Sequence, residues 1–376
     1  MPGLRPDIDP DGLLEFSVVF TDRSLNHMSL AFQQVMRDIH ETLCGVYRAS
    51  RAVVVPGGGT YAMEAVARQF ATGKKVLVIR NGFFSYRWTQ IFEAGSIPNE
   101  EIVMKARRIG NKGADAPFAP APIDEVVATI RAEKPAFVFA PHVETASGMI
   151  LPDDYIRAVA AATHEVGGLF VLDCIASGCV WVDMAKSGVD ILISAPQKGW
   201  SGPPCAGLVM MNETALELCR ATKSTSFACD LLKWNTIMEA YLNGGHAYHA
   251  TMPTDSLRAF HASMLETRAL GFERLAAAQW EQGNAVRKML AERGIKSVAA
   301  PGFEAPGVVV SFTDDPEIQA GRKFLAMGYQ IAAGVPLMVD EGPDYKSFRL
   351  GLFGLDKLKD VDASLARLET AFEKLF

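Results

Sequence analysis

Residues 167–204 read GGLFVLDCIASGCVWVDMAKSGVDILISAPQKGWSGPP, and two short runs in that stretch, Leu169–Asp173 and Ile191–Ser194, are apolar up to a polar last residue. Neither alternates polar with apolar. A strand buried on both faces reads this way, and such strands belong to a mostly parallel sheet covered by helices. Working outward, Ala52–Pro56, Lys75–Arg80, Ala136–Ala140 and Gly207–Met211 read as further buried strands. Apolar periodicity predicts helices at roughly 26–47, 60–71, 123–133, 153–166 and 212–220. Strands alternating with helices make an α/β domain. After about residue 255 the pattern changes to two longer helices, ended by Gly294, then a strand-like Val308–Phe312. A last helix is marked by Val361, Leu365, Leu368 and Phe372. The expected organisation is an N-terminal arm over 1–25, a large domain over 26–255 and a smaller α+β domain over 256–376.

Composition sets the class of molecule. Of 376 residues, 49% are apolar and 21% charged, as in ordinary globular proteins, which excludes a disordered chain. The net charge of −6 offers no electrostatic footprint for nucleic acid. The longest apolar stretch, Gly167–Val182, is broken by Asp173 and is too short to span a bilayer. The opening residues lack the apolar core of an export signal, and the six cysteines form no CxxC pair. The expectation is a cytoplasmic enzyme without disulfides, metal, nucleic-acid or membrane partners.

Three features could carry chemistry. Val53–Glu64, VVVPGGGTYAME, is a strand, a glycine run and a helix start. Such a turn lets backbone N–H groups approach a phosphate, although a tight βα turn needing positive φ looks the same. It fits neither a Walker loop nor a dinucleotide fingerprint. Asp173 ends an apolar strand, where ligands of α/β sheets bind, or else caps a following helix. Lys198 follows the next strand in a loop with Gly and Pro around it. A lysine desolvated there would be nucleophilic toward an aldehyde, whereas most lysines are solvated surface residues. An anion site, an acid and an amine together suit pyridoxal 5'-phosphate, which needs a phosphate cradle, a partner for its ring nitrogen and a lysine.

With these residues in view, the chain resembles the class V aminotransferases of the alanine–glyoxylate and serine–pyruvate group, among the fold-type I pyridoxal-phosphate enzymes. The resemblance runs from about His27 to the C-terminus. Its most specific pieces are HVETASG (142–148), LDCIAS (172–177), SAPQKGWSGPP (194–204), YHATMP (248–253) and FRLGLFG (348–354). It implies that Lys198 carries the cofactor, with Gln197 beside it near the phosphate. Asp173 would hold the ring nitrogen and Ile175 would press on one face of the ring. Gly58, Gly59 and Thr60 would receive the phosphate, Phe84 would stack on the ring, and Thr145 would bond near its 3′ oxygen. Tyr248 and Thr251 would reach the phosphate of a neighbouring subunit, which implies a homodimer with shared sites. Arg349 falls where the family grips the substrate carboxylate. The implied reaction moves an amino group from a small amino acid of alanine or serine type to a 2-oxo acid such as glyoxylate or pyruvate.

The chain departs from the family in two places. LLEFSVVFTDRSLNHMS (13–29) stands where a Gly-Pro-rich opening lines the substrate entrance, and three glycines replace a turn that often holds serine. Both changes bear on the substrate, and alanine, serine, aspartate and 2-aminoethylphosphonate all stay open as amino donors. A lyase or desulfurase on the same fold is the rival reading. A desulfurase needs a nucleophilic cysteine well after the lysine, and none occurs beyond Cys229. Arg87 could bind a substrate group or form an intersubunit ion pair. Trp88 and Trp280 sit on helical patterns and read as core.

Overall fold

The computed structural model describes residues 5–110 and 113–376; the first four residues of the expected N-terminal arm lie outside them. A seven-stranded sheet forms the centre, in the order Arg51–Pro56, Ala206–Met211, Ile191–Ser194, Leu169–Asp173, Phe137–Pro141, Lys75–Arg80, Glu100–Lys105. Its inner strands are the apolar runs read from the sequence, buried along nearly their whole length. Ala206–Met211 pairs antiparallel with both of its neighbours. The remaining pairings are parallel. Every strand but that one therefore runs the same way, and six carboxyl ends share one edge of the sheet.

Helices cover both faces, as buried strands require. Leu30–Tyr47 starts later than periodicity predicts because the Ser29 hydroxyl accepts from the Phe32 N–H (3.1 Å) and caps it there. The helix expected over 60–71 is α-helical only over Gly59–Val66 and continues as a π-helical turn, Ala67–Ala71. The edge strand Glu100–Lys105 and the helix Leu231–Leu242 were not among the expected elements, and the helical pattern at Trp88 belongs to the helix Phe83–Gly95. Trp88 is fully buried, tilted against Phe139 with ring centres 4.5 Å apart, whereas Trp280 stands 38% exposed rather than in the core.

Beyond the long helices Thr254–Leu270 and Phe272–Ala291 lies a small antiparallel sheet, Val308–Phe312, Ser347–Gly351 and Ala332–Ala333 in that order. It packs beneath the C-terminal helix Val361–Leu375 through Val309, Phe348, Leu350 and Phe372. No described helix is long and apolar enough to cross a membrane.

Candidate active site

Ligands of open α/β sheets bind at the carboxyl ends of the strands. From that edge emerge the glycine turn after Pro56, the Phe84 segment after Arg80, the Thr145 loop after Pro141, Asp173 itself, and the Lys198 loop after Ser194. Asp173 lies level with Ile193 and Pro141 in the two neighbouring strands.

Asp173 is buried, and its Oδ1 accepts from the Ile175 N–H (2.9 Å). A turn follows it, so the helix-cap alternative falls away. Burial pushes its carboxyl up to about 6, helped by the charge of Glu144 and opposed by the Ile175 bond, Lys198 and Arg87. Lys198 suffers the converse. Burial holds its ammonium below the ordinary lysine value, Arg349 and Arg87 push it the same way, and Asp173 and Glu144 oppose them. Its Nζ lies 5.5 Å from the centre of the Phe353 ring. The lysine loop is pressed onto the turn after Asp173: a Cβ on Gly199 would stand 2.0 Å from the Gly178 carbonyl oxygen, so only glycine allows this approach.

The glycine turn opens a helix in which the Tyr61 and Ala62 N–H groups bond the Gly58 carbonyl, while those of Gly58, Gly59 and Thr60 meet no acceptor among the described residues. Gly59 lies against Ile175, where a Cβ would come within 2.5 Å of Cδ1. That contact places the turn beside the Asp173 strand end. Arg87 donates from Nη1 to the Thr60 hydroxyl (3.0 Å) and lies 5.3 Å from the Phe84 ring centre.

Glu144 organises the other wall. Fully buried, it accepts from the N–H groups of Phe84 (3.2 Å), Ser85 (2.8 Å) and Ala146 (3.0 Å) and from the Ser85 hydroxyl (2.7 Å). One carboxylate thus fastens the start of the Phe84 helix to the loop carrying Thr145. A negative group at a helix N-terminus is favourable there. Arg349 completes the wall from the small sheet: its Nε donates to the Ala333 carbonyl (2.7 Å), Nη1 to the Thr145 carbonyl (3.4 Å), and the guanidinium lies 5.5 Å from the Phe84 ring centre. Desolvation lowers its pKa, with Glu144 and Tyr345 opposing.

Gly59, Thr60, Phe84, Thr145, Asp173, Ile175, Lys198 and Arg349 are joined by these contacts and charges. Gly58 caps the helix next to Gly59. Gln197 is solvent-exposed and lines a cleft of about 500 Å³ with Phe353. Tyr248 and Thr251 stand apart. The Tyr248 and Thr251 hydroxyls are 3.1 Å from each other, and the Tyr248 ring packs toward His27 at 5.7 Å, on an exposed loop. Glu144 was not singled out in the sequence, although a carboxylate inside the otherwise uncharged VETASGMIL was a signal of the same kind as Asp173.

Among the described residues no cluster of three or more His, Cys, Asp and Glu suits a metal ion. The donor set suits pyridoxal phosphate instead: a desolvated amine, a buried carboxylate electrostatically coupled to it, and open N–H groups at a glycine turn held against the same strand end. The fold is that of the fold-type I pyridoxal-phosphate enzymes, as solved structures bear out. Alanine–glyoxylate aminotransferase from Nostoc sp. superposes with a TM-score of 0.78 at 22% identity, covering 93% of this chain and 88% of that one. An aspartate aminotransferase from Thermus thermophilus gives 0.73 at 26% identity, covering 94% of each.

The family model Aminotransferase class-V matches residues 15–316, and the chain belongs to that family, whose members work with pyridoxal phosphate. Among relatives, a 2-aminoethylphosphonate–pyruvate transaminase of Paraburkholderia phymatum is 27% identical over 356 residues, covering 92% of this chain and 89% of that protein. A soluble hydrogenase 42 kDa subunit of Anabaena cylindrica is 24% identical over 358 residues, covering 93% and 88%. The protein is a class V aminotransferase.

Proposed function

We propose that the protein moves an amino group from a small amino acid of alanine or serine type to pyruvate or glyoxylate, with Lys198 as the residue that carries the cofactor. The observation behind this reading is the coupled pair itself, a desolvated lysine and a desolvated aspartate at adjacent strand ends. Bound pyridoxal phosphate supplies an aldehyde that condenses with amines and a ring that withdraws electrons from the substrate's Cα. Asp173 keeps a proton on the ring nitrogen, because an opposite charge favours the protonated form. Lys198 would take the proton from the substrate's Cα and hand it on as the amino group is transferred. Its lowered pKa keeps more of it as the free base that this step needs. Phe84 and Ile175 would hold the ring, Thr145 would bond near its 3′ oxygen, and Gly58, Gly59 and Thr60 would take the phosphate, with Gln197 beside it. Arg349 grips the substrate carboxylate through its planar fork.

Tyr248 and Thr251 complete the phosphate site of a second subunit. Their exposure supports this, as do the solvent-facing side chains of Leu13, Phe16, Val18 and Leu30. Leu13, Phe16 and Leu30 also line a groove of about 770 Å³. The dimer interface is expected to exceed roughly 2,000 Å². A fully active monomer in solution would refute it. Desulfuration is disfavoured by chemistry as well as position: the thiols after Lys198 are buried, with Cys205 pushed up to about 11 and Cys219 to about 12.

The second reading takes 2-aminoethylphosphonate as donor, as in the relatives of that name. A spectral screen decides. The purified protein, given pyridoxal phosphate, shows a visible band that bleaches with the true donor and returns with the oxo-acid acceptor. Bleaching by 2-aminoethylphosphonate but not by alanine or serine selects the second reading. Absence of any band, with no borohydride-trapped adduct, overturns both.

A further inference from the structure

Arg87 forms no ion pair among the described residues. It is partly buried beside the glycine turn, and among the described residues no carboxylate lies within ion-pair distance of it. Its protein hydrogen bond goes to a neutral acceptor, the Thr60 hydroxyl. The turn it faces, Gly57–Gly58–Gly59, has no side chains of its own, so backbone amides and the Thr60 hydroxyl are what the turn offers an anion. Backbone amides at a helix start carry only about half a positive charge. A phosphate held there by them alone would stay largely uncompensated.

We propose, resting on the reading of the site as a pyridoxal-phosphate site, that Arg87 is the counter-ion of the cofactor phosphate and that it sets the direction of the Thr60 proton. A hydroxyl has one proton and two lone pairs. The Arg87 N–H occupies one lone pair, and the structure gives the Thr60 hydroxyl no acceptor for its proton among the described residues. The proton is therefore free to go to a phosphate oxygen at the turn. A fork with several N–H groups can serve Thr60 and a phosphate oxygen together, where a single ammonium would be drawn to one of them. Arg87 also acts electrostatically on both Asp173 and Lys198, which places its charge within reach of the reacting centre. Neutralising it with phosphate removes one of the pressures that lower the Lys198 pKa, so loading the phosphate and tuning the lysine are linked.

The test compares pyridoxal phosphate with pyridoxal, which lacks only the phosphate. Dissociation constants for both are measured by absorbance titration on wild type, Arg87→Gln, Arg87→Lys and Thr60→Val. The 31P resonance of the bound cofactor is followed from pH 5 to 8. Arg87→Gln is expected to weaken pyridoxal phosphate by about tenfold to a hundredfold, the range for a charged hydrogen bond, and pyridoxal by less than about twofold. The phosphate, held as a dianion in wild type, should titrate within the pH window in Arg87→Gln. Arg87→Lys should recover part of the affinity. Combining Arg87→Gln with Thr60→Val should cost less than the sum of the two losses. Equal weakening of both ligands would make Arg87 a packing residue and overturn the proposal. So would unchanged cofactor affinity with a raised KM, which would assign Arg87 to a substrate anion. Wild-type protein that binds neither ligand would instead overturn the reading of the site as a whole.

Discussion

Asp173→Asn should make the cofactor-free protein more stable, with the gain appearing only above a certain pH. In the unfolded chain an aspartate ionises near 3.9. In the folded protein, burial pushes Asp173 up to about 6. Below about pH 4 both states hold the proton and the carboxyl costs nothing. Between 4 and 6 the unfolded state ionises while the folded state resists, so stability is lost as pH rises. Above 6 the folded state carries the full cost. About two pKa steps at 1.36 kcal/mol each make that cost about 3 kcal/mol. Asparagine keeps an oxygen to accept from the Ile175 N–H and carries no charge. Urea denaturation of the cofactor-free proteins at pH 4, 5, 6 and 8 should therefore show no advantage at pH 4 and an advantage growing to about 3 kcal/mol at pH 8. In thermal melts the rise would be on the order of 5 °C. With pyridoxal phosphate bound the order should reverse, because only the carboxylate can hold the ring nitrogen's proton. A cofactor-free Asp173→Asn less stable than wild type at pH 8, or a difference independent of pH, would refute the claim that desolvation of this carboxylate outweighs the groups that compensate it.

Lys198→Ala should fold and bind cofactor without forming a borohydride-trapped adduct; a trapped adduct on another lysine would reassign the site. Arg349→Lys should raise KM for both donor and oxo acid, consistent with loss of about 1.5–3 kcal/mol, and leave the substrate-free spectrum unchanged. Glu144→Gln puts an amide nitrogen where one oxygen accepts two of the four bonds and removes a buried charge. A destabilisation of about 2–4 kcal/mol is expected, together with a further fall in the Lys198 pKa, since Glu144 raises it. An unchanged melting curve would mean that the Phe84 helix does not depend on that carboxylate.

The sheet was legible because its inner strands, such as Leu169–Asp173 and Ile191–Ser194, are buried on both faces and so carry unbroken apolar runs. Glu100–Lys105 was not, since an edge strand reading EEIVMK has one wet side and no such signature. Periodicity alone does not reveal the π-helical turn at Ala67–Ala71, whose residues look like a continuing α-helix. Asp173 and Lys198 stood out as single charged groups in otherwise uncharged company. Arg87 and Glu144 act through partners 27 and about 60 residues away, Thr60 for one, Phe84 and Ser85 for the other. No local pattern encodes such pairings. The direction of Ala206–Met211 was equally hidden, because a strand's apolar pattern is the same read either way.

On the proposed role of Arg349, a carboxylate that pulled the guanidinium off the Ala333 and Thr145 carbonyls would trade bonds rather than add them. Those two carbonyls belong to the small sheet and to the loop beyond the central sheet, so in the resting protein the arginine is a latch between them. A substrate that drew the guanidinium away would release the latch, and a leaving product would let it close again. Affinity would then be the difference between two sets of hydrogen bonds, which favours modest binding and ready turnover. The same exchange would make the spacing between the two parts of the chain sensitive to whether the site is occupied.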